Sequence, residues 1–240
     1  MYDFTEKRRR YTTLGARDNI IIPFSVVEQL HEIGKHSKDI RRELGGCIRL
    51  DTMKVECEEG LKGTGAASFI PSKKLLAKKN VVRFHCHPLD SFETPPSYQD
   101  LVQLCKDYVQ HHDGIIEHIV VTPKGFFLMC IPPKILFHLN EFVASLCSKD
   151  KISGKRRKAL FLESPLFSQL ETFCKKIKKY QECRVYDLGC VQEFIRNMKD
   201  NFGLQLKYKQ FKKNLTLQIC RFGAKRRTTR RKSSSRSRSR

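Results

Sequence analysis

Val81-Val82-Arg83-Phe84-His85 is a run of β-formers that leads into Cys86-His87-Pro88, and a helix start follows between Ser97 and Asp100. Pro96-Ser97-Tyr98-Gln99-Asp100 sets a capping hydroxyl three residues ahead of an acid, and the acid favours the positive end of a helix. Leu101, Leu104, Cys105 and Tyr108 then recur on one helical face. The chain is therefore held to a strand, a loop and a helix in that order.

The segments on either side continue the alternation. Asn19-Ile20-Ile21-Ile22 predicts a short strand stopped by Pro23, and Val26, Val27, Leu30 and Ile33 predict an amphipathic helix ending near Gly34 to His36. Cys47-Ile48-Arg49-Leu50 and Met53-Lys54-Val55-Glu56-Cys57 read as strands around an Asp51-Thr52 turn. Residues 115–121 and 126–131 predict two more strands around Thr122-Pro123-Lys124-Gly125. Ile135, Leu139, Phe142 and Leu146 place a helix after them. Helices alternating with strands over residues 19–148 argue for one α/β domain.

Beyond it the basic stretch 149–158 reads as a linker. Residues 159–222 read as a small α+β extension, with a core of its own or one shared with the first domain. Phe167, Leu170, Phe173, Cys174 and Ile177 give one helix stripe, and Val191, Phe194, Ile195 and Met198 another. The alternations Leu204, Leu206, Tyr208 and Leu215, Leu217, Ile219 predict a closing β-hairpin. Residues 1–18 read as a flexible basic start, and 223–240 as a disordered Arg/Ser-rich tail that has nothing to bury.

Charge narrows the partners. The chain carries a formal +22, and residues 225–240 hold nine of its 47 Lys and Arg with no acid. Lys225, Arg226, Arg227, Arg230, Arg231 and Lys232 are the expected contacts to nucleic acid, through phosphates and without sequence preference. No stretch approaches the ~20 apolar residues of a membrane span, and Met-Tyr-Asp-Phe-Thr-Glu-Lys-Arg lacks the apolar run of a secretory leader. Ten cysteines without CxxC spacing are then expected to be reduced thiols inside a cell, in cytosol or nucleus. The Ser-Arg tail is similar to those of nuclear arginine-serine proteins and of proteins from large DNA viruses. The glycines between Gly60 and Gly65 match no phosphate-binding fingerprint.

Chemistry concentrates where the strand meets the helix. In a strand, residues two apart face one side, so His85 and His87 aim both imidazoles at one point. Asp100, held in the first turn of a helix, supplies a third ligand of fixed direction. Two imidazoles and a carboxylate leave a fourth tetrahedral position open, as in a catalytic rather than a structural zinc site. Glu43, followed by Gly45-Gly46, is the separate carboxylate that a general base requires.

Glu43-x-x-Gly46, His85-x-His87-Pro88 and Ser97-x-x-Asp100, in that order, resemble the JAMM (MPN+) zinc metalloprotease motif, and the resemblance covers roughly residues 19–148. It implies a cytidine-deaminase-like three-layer fold with Zn2+ held by His85, His87 and Asp100. It also implies that Glu43 takes a proton from the attacking water and passes it to the departing amine, and that Ser97 hydrogen-bonds the oxyanion. The implied substrates are isopeptide bonds joining ubiquitin, or a ubiquitin-like protein, to lysine. Nine residues separate His87 from Ser97 where the family commonly has seven, so residues 89–96 have to bulge. The deaminase pairing of His-x-Glu with Pro-Cys-x-x-Cys is missing.

Two other functions start from the same residues. A non-enzymatic scaffold of this fold would act only through its basic tail. A barrel amidohydrolase also begins from His-x-His but needs further metal-binding histidines, which His111, His112, His118 and His138 do not obviously supply; these four read as surface or core residues. Glu56, Glu58 and Glu59 read either as a contact for a basic substrate tail or as an exposed hairpin edge.

Overall fold

The computed structural model describes residues 17–59, 69, 71–88, 94–112, 114–147, 152–178 and 188–222. In chain order its elements are β1 (Arg17–Ile22), α1 (Phe24–Asp39), β2 (Gly45–Arg49), β3 (Val55–Glu58), α2 (Lys73–Leu76), β4 (Val81–Cys86) and α3 (Tyr98–His111). They continue with β5 (Glu117–Val121), β6 (Gly125–Cys130), α4 (Pro133–Cys147), α5 (Gly154–Leu162), α6 (Pro165–Lys178), α7 (Leu188–Phe202), β7 (Gln205–Gln210) and β8 (Leu217–Phe222).

Six strands form one mixed sheet in the order β3-β2-β4-β5-β6-β7, and β1 pairs with β8 in a separate antiparallel ribbon. Only β4 and β5 run parallel, as they must when a helix, α3, makes the crossover between them. Alternation of side chains divides the core in two. Val82, Phe84, Ile119, Val121, Phe126 and Leu128 pack with Val26, Val27 and Leu30 of α1 and with Leu217 and Ile219 of β8. Val120, Phe127 and Met129 face the other way, against Leu101, Cys105, Leu139, Phe161, Leu170 and Val191 of the remaining helices. The α/β class is as expected.

Four local expectations are corrected. α1 runs through Gly34 to Asp39, because that glycine faces the sheet; a Cβ there would lie 2.7 Å from Cγ1 of Val121. Residues 154–158, read as linker, are the start of α5. The Arg157 guanidinium docks it by donating to the carbonyls of Ile152, Val109 and Gln110 at 2.8–3.1 Å. The last two of these lie at the C-terminal end of α3, where a cation is favoured, so this basic residue is spent on packing.

The third correction concerns the two C-terminal strands, which do not pair with each other. β7 extends the main sheet beside β6, while β8 pairs with β1. Alternation identified both strands but carries no information on partners. Residues 159–222 accordingly share both cores with the rest of the chain. The fourth concerns the start: Arg17 and Asp18, read as the end of a flexible segment, are the first residues of β1. The acids follow the hairpin-edge reading, since β3 is an edge strand, with Glu56 ion-paired with Lys78 and Glu58 accepting the backbone N–H and the hydroxyl of Ser72 at 2.6 and 2.8 Å. These two contacts brace the β3 edge.

Residues 1–16, the glycines from Gly60 to Gly65, residues 89–93 and 223–240 lie outside the described residues, and with them the basic tail and all but the last two residues of the expected flexible start.

Candidate metal centre

The crossover topology assembles the site, because the carboxyl end of β4 and the amino end of α3 meet on one side of the sheet. β4 is pinned from both sides. Gly45 is opposite His85 on β2, and Val120 is opposite it on β5. Beyond these registers, Cys86 N–H donates to Leu44 O at 2.7 Å and His87 N–H donates to Val121 O at 2.9 Å. The first bond carries the β2 ladder one step further and brings Glu43 to the same sheet end as His87.

The two glycines have steric reasons. A Cβ at Gly45 would lie 2.3 Å from the Phe69 ring, and one at Gly46 would lie 1.9 Å from Glu56 O. Gly45 thus makes room for a covering aromatic, and Gly46 for the neighbouring strand.

Nε2 of His85 lies 3.0 Å from Nε2 of His87 and 3.5 Å from Oδ1 of Asp100. All three donor atoms fall within 4.8 Å of one another. Tetrahedral ligands at the ~2.0–2.1 Å distances of zinc are separated by about 3.3 Å, so the His85–His87 and His85–Asp100 separations suit a small divalent cation. Two imidazoles with one carboxylate also suit such an ion chemically.

Each ligand is oriented from behind. His87 Nδ1 donates to Thr94 O at 2.9 Å, which leaves its Nε2 lone pair toward the centre. Asp100 divides its oxygens: Oδ2 accepts Ser97 N–H at 2.6 Å within a capping box, and Oδ1 faces His85. The Ser97 hydroxyl accepts Asp100 N–H at 3.3 Å; that bond uses a lone pair, and the O–H proton stays able to donate. His85 is 6% exposed, and its Nδ1 lies 2.7 Å from Nε2 of His118.

Charge states follow from these surroundings. Burial pushes the Asp100 carboxyl up, but His85, His87, His118 and the Ser97 N–H together hold it below its ordinary value. Burial, helped by neighbouring His85, lowers His87 to about 4, and burial again lowers His118 to about 3. Both rings are therefore neutral near pH 7, as ligation demands. Glu43 is raised, chiefly by burial and against the pull of His85 and the Phe69 N–H, which it accepts through Oε2 at 2.7 Å. A carboxylate raised in this way is a better proton acceptor.

Glu43, His85, His87, Ser97 and Asp100 line one cavity of about 630 Å³, which continues past Gln103 and Lys106 toward α6. The sequence residues are thus brought together, apart from Lys225, Arg226, Arg227, Arg230, Arg231 and Lys232, which lie outside the described residues. His118 was expected as a surface or core residue, yet its ring lines the cavity beside His85. Its only signal in the sequence is a histidine inside the apolar strand Glu-His-Ile-Val-Val. Phe69 and Thr94, which act through backbone atoms, left none.

The open six-stranded sheet is not a barrel, which removes the barrel amidohydrolase reading. No helix among the described residues is long and apolar enough to cross a membrane. No protein-family model, curated protein or solved structure matches the chain.

Proposed function

We propose that the chain is a zinc-dependent isopeptidase of the JAMM/MPN type, hydrolysing conjugates of ubiquitin or a ubiquitin-like protein. The observation that carries this reading is the convergence of His85, His87 and Asp100, with Glu43 in the same cavity. The order of the motif residues and the division of the core into two layers around one sheet support the family and its three-layer fold.

Zinc, when bound, supplies Lewis acidity and a water of pKa near ~7. His85 and His87 would hold it through Nε2, and Asp100 through Oδ1. Glu43 accepts the proton of the attacking water and returns it to the departing lysine amine. The Ser97 hydroxyl donates to the carbonyl oxygen as negative charge develops there. The basic tail, as a separate property, would hold the hydrolase near nucleic acid.

Metal analysis of the purified protein paired with a di-ubiquitin cleavage assay tests the reading. Cleavage should stop with chelator and fall by ~10²–10⁴-fold in Glu43→Gln, with metal content unchanged. Retained cleavage in Glu43→Gln would remove Glu43 as the base. An intact protein that binds no metal would remove the hydrolase and leave a scaffold.

A further inference from the structure

We propose that His118 is a positioning residue of the metal centre, fixing His85 as an Nε2 ligand by accepting its Nδ1 proton. The inference rests on the metal-centre reading above and adds a residue outside the three-part motif.

The argument is one of proton count. The His85 Nε2 atom faces His87 and Asp100, so to ligate it must present a lone pair there, and the ring proton must sit on Nδ1. The neighbour of that Nδ1 is Nε2 of His118 at 2.7 Å. Without metal the 3.0 Å contact between His85 Nε2 and His87 Nε2 would hold the His85 proton, because His87 donates through Nδ1 to Thr94. With metal taking both Nε2 lone pairs, the one proton has to lie in the short contact between His85 and His118. Nδ1–H of His85 is then the donor, Nε2 of His118 is the acceptor, and His118 carries its own proton on Nδ1. The opposite assignment would put the His85 proton on Nε2 and abolish ligation.

Placement supports a dedicated role. β5 lies parallel to β4, with Val120 opposite His85. His118 shares the face of Val120, the face that packs toward α3, and so reaches behind the His85 ring with centroids 5.0 Å apart. The two ligand histidines are consequently backed differently. His87 leans on the carbonyl of Thr94, which only accepts and permits one tautomer. His85 leans on an imidazole, which can accept or donate, so His85 and His118 change tautomer together and metal binding selects one arrangement of the pair. Groups that orient a metal-binding imidazole in this way are typically worth 10–100-fold in affinity.

The test compares full-length wild type, His118→Leu and His118→Gln by Zn(II) competition against a chromophoric chelator and by the visible absorption of the Co(II) form. His118→Leu should bind ~10–100-fold more weakly with an altered Co(II) spectrum, and His118→Gln, whose side-chain oxygen can accept, should recover most of the loss. Equal affinity and spectra in all three would overturn the positioning role while leaving the metal centre standing. A wild-type protein that binds neither ion would sink both. Ring-nitrogen NMR of the Zn(II)-loaded wild type decides the matter without relying on a variant's folding. A proton on Nδ1 of His85 is expected, and its absence there would overturn the proposal.

Discussion

The backbone N–H of Ser97 lies 2.6 Å from Oδ2 of Asp100, so the carboxylate that closes the cap of α3 is the same one whose other oxygen faces His85. Helix start and metal ligand are one residue, and substitution separates the two duties. Asp100→Asn keeps an acceptor for the cap and loses the charge. It should lower metal affinity by at least tenfold, with chelator-treated stability within about 0.5 kcal/mol of wild type. Asp100→Ala should lose about 1 kcal/mol in addition. Denaturant melts in chelator beside metal titrations separate the two.

Acid should destabilise the metal-free protein in a defined window. His87 and His118 have ordinary values of 6.5 and folded values of about 4 and 3. Between those limits the unfolded chain binds more protons than the folded one, so stability rises with pH there. The contribution of the two rings is whole above pH 6.5 and is lost as pH falls toward 4 and 3. Denaturation midpoints in chelator across pH 4–7 should show this slope, and His118→Gln should flatten it; an unchanged slope would count against the burial of that ring.

Gly46→Ala tests the packing behind the motif. With a Cβ 1.9 Å from Glu56 O, the added methyl meets backbone that is itself paired to β2, and no side-chain rotation relieves it. The expected cost is at the upper end of the ~1–3 kcal/mol typical of overpacking, read as a lowered denaturation midpoint in chelator. Gly45→Ala meets the ring of Phe69, a side chain that can shift, and should cost less.

Removing residues 224–240 should abolish salt-sensitive binding to single- or double-stranded nucleic acid and leave di-ubiquitin cleavage intact. Titrations at two or more salt concentrations provide the check. Binding that survives the deletion would place the contact elsewhere on the chain.

The sequence made the centre legible because its constraints are local. A two-residue spacing on a strand aligns His85 with His87, and a capping box fixes Asp100. The same holds for the stripes of α1, α3, α6 and α7, whose periodicity matches their buried faces. Long-range pairing was not legible. Nothing in Leu215, Leu217 and Ile219 says that their partner is the first strand, and nothing in the basic run at 155–158 says that Arg157 will be spent on carbonyls of α3. The place of His118 beside His85 was hidden for the same reason, since it depends on β5 lying beside β4. The hydrogen bonds from Phe69 to Glu43 and from His87 to Thr94 could not be read at all, because they use main-chain atoms common to every residue.

The ribbon of β1 and β8 has a temporal meaning. Asn19 and Cys220 stand opposite each other although 201 residues apart in sequence, a stretch that a ribosome takes roughly 10–40 s to make at ~5–20 residues per second. Throughout that interval Ile20 and Ile22 have no mate, and a nascent chain stalled before residue 217 would bare them to its neighbours. Closure of this layer therefore waits until residues 217–222 have been made, and a stop before them would yield a protein with Ile20 and Ile22 bared although its motif residues had all been made.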